Sequence, residues 1–149
     1  MYYPDQNKTQ EKAIDRIRQQ EILDSFTASM GNGFTTAMSS SSSTYDAKFF
    51  YNNIYAGIIE VKFRNTPASL YSTYTIDANK IDDLSSIANR EHVYAYLLVS
   101  WLGDVRCLDI PEPVKRGTMY PSKLQKRRDR QELADLVYEI PMTDFKKLG

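Results

Sequence analysis

Asp46, Glu60 and Lys62 are the side chains whose types and spacing could do chemistry. Ile54 to Arg64 reads as a strand, in which side chains i and i+2 share a face. Ile59, Val61 and Phe63 then point to one side, and Glu60, Lys62 and Arg64 to the other. Glu60 and Lys62 would lie roughly 7 Å apart along that strand. A carboxylate and an ammonium projecting together from so apolar a segment are costly unless paired or bound to a cation.

The preceding strand offers a second carboxylate. If Asn52, Asn53 and Ile54 form a three-residue loop, Asp46 falls opposite Glu60, about 5 Å away on the same face. A two-residue loop puts Asp46 opposite Ile59 and sends it to the other side, unless one bulge restores the pair. The register stays open, but the carboxylate pair is geometrically available. Two carboxylates with a lysine one pleat away suit Mg²⁺ better than zinc, because hard cations take oxygen ligands and Mg²⁺ keeps waters for chemistry. Such a metal activates water and stabilises charge on a phosphoryl oxygen, while the lysine orients the water or neutralises developing negative charge.

These residues need elements to position them. A helix is expected from about Lys8 to Phe26, with Ala13, Ile14, Ile17, Leu23 and Phe26 approximating one apolar stripe. Gly31 and Gly33 break it. Phe34 to Met38 reads as a short strand, and Ser39 to Ser43 as a flexible loop. Tyr45 to Tyr51 and Ile54 to Arg64 flank Asn52-Asn53, and asparagine tolerates the positive φ of hairpin turns. Asn65-Thr66-Pro67 ends the second of these strands.

From Asp77 to Arg90 the period is helical, with Ile81, Leu84, Ile87 and Ala88 on one face. Tyr94 to Trp101 is nearly continuous and apolar, as a strand buried on both faces would be. Gly103-Asp104 turns the chain into Val105 to Ile110, which Pro111 and Pro113 end. Leu133 to Ile140 is apolar again, and Pro141-Met142-Thr143-Asp144 reads as the cap of a short final helix. The order implies an α/β fold with a mixed central sheet and an αβββαβ core flanked by helices.

At this point the residues resemble a family. Asp46, thirteen intervening residues, Glu60-Val61-Lys62, then a helix and an apolar strand, resemble the PD-(D/E)xK nuclease superfamily. Its members include restriction enzymes, Holliday-junction resolvases and phage recombination nucleases. The resemblance runs from about Lys8 to Ile110 and is closest to phage or resolvase-like single-domain nucleases. It implies a restriction-endonuclease-like fold and Mg²⁺- or Mn²⁺-dependent hydrolysis of DNA phosphodiester bonds, on branched DNA such as a Holliday junction or in phage recombination. By the family's pattern Asp46 and Glu60 bind the metal, the Val61 carbonyl adds a ligand, and Lys62 serves the attacking water. For a first-helix acid the candidate is Glu11, with Asp15 and Glu21 as rivals. Lys80, opening the second helix, resembles a basic residue that several resolvase-like members keep. Tyr45 stands where the first motif has proline.

An acid two residues before a lysine is itself a poor signal. It occurs three times here, at Asp46-Ala47-Lys48, Glu60-Val61-Lys62 and Asp144-Phe145-Lys146. Only the middle one sits in an apolar strand, behind an Asp-bearing strand and ahead of a helix. The bland alternative is a surface strand whose Glu60 and Lys62 form solvated pairs. At the level of the whole chain, the alternative is a nuclease-fold relative that has lost catalysis and binds DNA or a protein partner.

The remaining composition narrows the field. The 149 residues, with 42% hydrophobic content, fit a single globular domain. Nineteen basic and nineteen acidic residues leave no global field to recruit DNA, so a local positive face is needed. Lys115, Arg116, Lys123, Lys126, Arg127, Arg128 and Arg130, against Asp129 alone, form that face in a basic loop or insertion at about 113–131. The alternative there is a solvated loop. One cysteine, Cys107, excludes an internal disulfide, and one histidine, His92, excludes His-rich metal clusters. Cys107 reads as a packed strand residue and His92 as a helix-boundary residue. With no signal peptide and no apolar run of about 20 residues, the expectation is a cytoplasmic protein with no membrane partner. One site per chain makes a homodimer the expected route to cutting both strands.

Overall fold

The computed structural model describes residues 6–40, 42–111, 122–126 and 134–148. The chain forms α1 (Gln6–Met30), β1 (Phe34–Met38), β2 (Ala47–Tyr51), β3 (Ile54–Arg64), β4 (Thr73–Asp77), α2 (Ala78–Glu91), β5 (Tyr94–Trp101) and β6 (Asp104–Asp109). β7 (Ser122–Lys126), β8 (Ala134–Pro141), a 3₁₀ turn (Met142–Asp144) and β9 (Lys146–Lys147) follow. A mixed six-stranded sheet runs β1-β2-β3-β5-β6-β9, beside a three-stranded sheet β4-β8-β7. This is the expected mixed α/β architecture with a restriction-endonuclease-like layout.

β3 and β5 pair in parallel, and the crossover between them carries β4 and α2. Alternation sorts the side chains of both strands. Ile59 and Val61 of β3 and Leu98 of β5 pack with Ile22, Leu23 and Phe26 of α1. On the other face, Ile58 packs with Leu84 and Ala88 of α2, and Leu97, Val99 and Trp101 pack with Ile81, β4 and β8. β5 is therefore covered on both sides, which accounts for its continuous apolar run.

Three features depart from the sequence reading, and one open alternative is decided. α1 does not bury its whole stripe: Leu23 and Phe26 are fully buried, but Ile14 and Ile17 are 55% and 62% exposed, and Ala13 is exposed. The helix makes its core contacts through its second half, with Ile22 taking part. β4 was not anticipated, because its Thr-Tyr-Thr-Ile alternation is brief and lies close after a proline-containing turn. Part of the basic segment expected as a loop, Ser122–Lys126, is a strand that pairs antiparallel with β8. The β2–β3 connection uses the two-residue turn, with Asn52 at φ 49° and Asn53 at φ 66°.

That turn alone would misplace Asp46. A bulge corrects it: Tyr51 pairs with Ile54 and Phe50 with Tyr55, but Phe49 pairs with Gly57, leaving Ala56 as the extra residue. From there Ala47 faces Ile59, so the next position, Asp46, comes level with Glu60. Gly57 is required by the packing at the bulge. A Cβ there would lie 2.1 Å from the Phe49 ring and 2.6 Å from the Tyr94 carbonyl oxygen. Gly57→Ala is therefore expected to destabilise the protein by about 1–3 kcal/mol or more. Thermal melts would show the drop, and an unchanged Tm would mean that the ring and strand shift freely.

Candidate active site

β2 begins at Ala47, yet Asp46 just before it continues the ladder in a different way. The Asp46 N–H donates to the Ile59 carbonyl at 2.9 Å, and Asp46 Oδ2 accepts the Val61 N–H at 2.7 Å. One residue thus brackets Glu60, its backbone bonded before it and its carboxylate after it. The side chain satisfies an amide that the start of β2 would leave without a strand partner. The Ser39 N–H holds the Asp46 carbonyl at 2.8 Å, so the start of the serine run fixes the same position from outside.

Glu60 is the most buried ionisable group of this cluster, at 4% exposure. Lys62 Nζ lies 3.5 Å from Glu60 Oε2 and Lys80 Nζ 3.4 Å from the same oxygen. Lys80 comes from the first turn of α2 and also donates to the Thr44 carbonyl at 2.8 Å, tying the helix to the segment ahead of β2. Burial and then the Asp46 carboxylate push the Glu60 carboxyl up, and Lys80 and Lys62 pull it down. A hydrogen bond shared with Asp46 adds to the upward push, and the balance is about 7. The two lysines therefore offset only part of what burial and the neighbouring carboxylate cost the Glu60 charge.

The donor set fits a hard dication. Asp46 and Glu60 supply carboxylate oxygens side by side, and Val61 follows Glu60 directly with its N–H already committed to Asp46. Among the described residues no three His, Cys, Asp or Glu side chains cluster around one point. A metal here would rest on two carboxylates, backbone oxygen and water, which suits Mg²⁺ and not zinc.

Residues 6–148 match the family described as "Phage putative PDDEXK endonuclease". The chain belongs to that family. Membership of this nuclease superfamily agrees with the resemblance drawn from Asp46, Glu60, Val61 and Lys62. Among solved structures, a nuclease from a fusselovirus shares the fold, with a TM-score of 0.52 at 10% identity over 99% of this chain and 90% of that one. The Holliday junction resolvase Hjc of Archaeoglobus fulgidus aligns with a TM-score of 0.49 at 16% identity, over 86% of this chain and 88% of that one. No curated protein matches the chain.

Within this nuclease fold the structure brings together Asp46, Glu60, Val61, Lys62 and Lys80. Glu11 lies on α1. Its rivals Asp15 and Glu21 are exposed, and α1 packs on the Ile59 and Val61 face, opposite to Glu60. Lys123 and Lys126 lie on β7, while Lys115, Arg116, Arg127, Arg128 and Arg130 lie outside the described residues. His92 is the left-handed C-cap of α2, its N–H bonded to the Ala88 carbonyl. Cys107 is buried, and burial, with Asp109 adding to it, pushes its thiol up to about 12.

Two neighbours of the site were given no role from the sequence. Arg64 shares the Glu60 and Lys62 face, and its guanidinium lies 4.8 Å over the Tyr74 ring and donates to the Tyr74 hydroxyl at 2.8 Å. Burial pushes the Tyr74 hydroxyl up to about 12, Arg64 lowers it and Glu60 raises it. Arg64 was visible in the strand alternation. Tyr74 was not, because it enters on β4.

Proposed function

We propose that the protein is a Mg²⁺-dependent DNA endonuclease that hydrolyses phosphodiester bonds by attack of an activated water. The observation that carries this reading is the buried Glu60 held beside the half-buried Asp46, flanked by Lys62 and Lys80. In a chain of this family, burying Glu60 beside a second carboxylate stays costly even with the two lysines, and a bound metal ion would offset that cost.

Asp46, Glu60 and the Val61 carbonyl would hold the metal, which when bound supplies an acidified water and charge stabilisation at the phosphoryl oxygen. Asp46 is oriented by the Val61 N–H, and Glu60 by the two lysines. Lys62, with 37% of its side chain exposed, faces the solvent from which substrate arrives. Its ammonium is placed to hold a water or a non-bridging oxygen at the site. Lys80 is tethered to Thr44 and acts as a positioning residue for Glu60. The basic residues of 115–130 would contact DNA phosphates, and two copies of the chain would serve the two strands.

The test is cleavage of branched and linear DNA in Mg²⁺ or Mn²⁺, beside Asp46→Asn and Glu60→Ala variants shown to remain folded. Metal-dependent cutting that both variants lose is the expected result. Asp46→Asn keeps an acceptor for the Val61 N–H while removing the charge, so its loss reports on metal binding. No cutting by the wild type, with DNA binding unaffected by Glu60→Ala, would leave a nuclease-fold DNA-binding protein instead.

A further inference from the structure

A cleft of about 400 Å³ opens beyond the lysine end of the candidate site. Its lining includes Arg64, Ala68, Tyr71, Tyr74, Trp101 and Glu139. None of the carboxylate cluster lines it, but it neighbours the site: Arg64 is one pleat beyond Lys62 on the face that carries Glu60, and Tyr74 of its lining feels the Glu60 charge. The size falls within the usual range of ligand pockets, about 300–1,000 Å³.

Its chemistry differs from that of a phosphate groove. Among the described residues, one cation, Arg64, and one anion, Glu139, border a lining of three aromatic rings, three threonines and small apolar groups, so a run of phosphates finds few cations there. Tyr74 is already committed, with Arg64 over its ring and Trp101 and Phe145 edge-on at 5.6 and 5.7 Å. Tyr71 is the aromatic left open, 66% exposed at the cleft, beside Leu70 at 53%. A rigid floor with one solvent-facing tyrosine at the rim suits a flat apolar ligand. A paired duplex hides its base faces and presents phosphates and base edges. An unpaired base offers a face for stacking.

Building on the nuclease reading, we propose that this cleft is a subsite for one unpaired nucleotide adjoining the scissile phosphate, with Tyr71 stacked on its base and Arg64 on its phosphate. Arg64 suits that contact because Tyr74 fixes its guanidinium plane, and among the described residues no carboxylate pairs with it. The substrate class is therefore DNA with unpaired nucleotides at the cut site, and a continuous duplex fills the carboxylate site alone.

The experiment measures binding of a fluorescent duplex bearing a single-stranded arm and of a fully paired duplex, both in EDTA. Wild-type protein is compared with Tyr71→Ala and Tyr71→Phe, and cleavage of the same DNAs is followed in Mg²⁺. Tyr71 is exposed, so neither variant threatens the core. Tyr71→Ala is expected to weaken binding of the armed DNA about tenfold or more and to leave the paired duplex unchanged. Tyr71→Phe, which keeps the ring, should bind as wild type. Equal affinities of wild type and Tyr71→Ala for the armed DNA would overturn the subsite, even where Mg²⁺-dependent cutting proceeds. A selective loss in Tyr71→Ala, with no cutting of any DNA, would uphold the subsite and overturn the nuclease reading.

Discussion

Lys62→Met is expected to slow Mg²⁺-dependent cleavage by about 100-fold or more, with the loss in kcat and little change in affinity for DNA. Methionine keeps the length of the stem on a side chain that is 37% exposed, so the fold should tolerate it. What disappears is one ammonium near the reacting phosphate. Lys80→Met removes the second ammonium near the same Glu60 oxygen, and it provides the contrast. Lys80 is already bonded to the Thr44 carbonyl, so its charge serves the α2 junction and the placement of Glu60. Its loss should be smaller and should appear partly in metal affinity. Single-turnover cleavage with saturating protein separates the two effects. A Lys62→Met rate near wild type, with Lys80→Met inactive, would exchange the roles assigned to the two lysines.

Glu60→Gln should make the metal-free protein more stable than wild type at pH 8, by on the order of 3 kcal/mol. Burial and then Asp46 raise this carboxyl from 4.5 to about 7. The native protein therefore holds the proton more tightly than the unfolded chain does. That contribution is complete below pH 4.5, shrinks as pH rises through 7, and is gone above it. Glutamine keeps the shape without a charge to bury, so its stability should not follow this descent. The difference between the two proteins isolates Glu60 from other titrating groups. At the proposed metal site Mg²⁺ would replace the proton as the compensating charge, and it should raise the wild-type Tm at pH 8 more than at pH 5. Urea melts in EDTA from pH 4.5 to 8 provide the readout. Parallel curves for wild type and Glu60→Gln would show that the buried carboxyl carries no such strain.

Much of this was legible in the order of residues. The alternation in Ile54 to Arg64 separates Glu60 and Lys62 from Ile59 and Val61, because a strand's period of two is local geometry. The double-sided burial of Tyr94–Trp101 and the apolar face of α2 are local for the same reason. Asp46 was legible only as one of two registers. The asparagine turn favours the register that sends it to the wrong face, and the bulge opposite Phe49 and Phe50 reverses that. Bulges are set by cross-strand packing, here the Phe49 ring over Gly57, which the residues of one strand do not reveal.

The rest belongs to tertiary structure. Lys80 meets Glu60 because α2 packs on that face of the sheet, and Ile14 and Ile17 stay exposed because the core contacts of α1 lie in its second half. β4 is too short to announce itself, and pairing with β8, with partners 60 to 68 residues apart, makes it a strand. That pairing brings Tyr74 against Arg64 and forms the cleft at the Arg64 end of β3. The sequence by itself determined that Glu60 and Lys62 share one face of a strand, and pointed to the nuclease family, since these rest on residue type and on spacing along the chain; the placement of Asp46 waited on the bulge. The compensation of Glu60 and the shape of what lies next to it were decided by contacts between distant segments, whose energies depend on burial that no local pattern encodes.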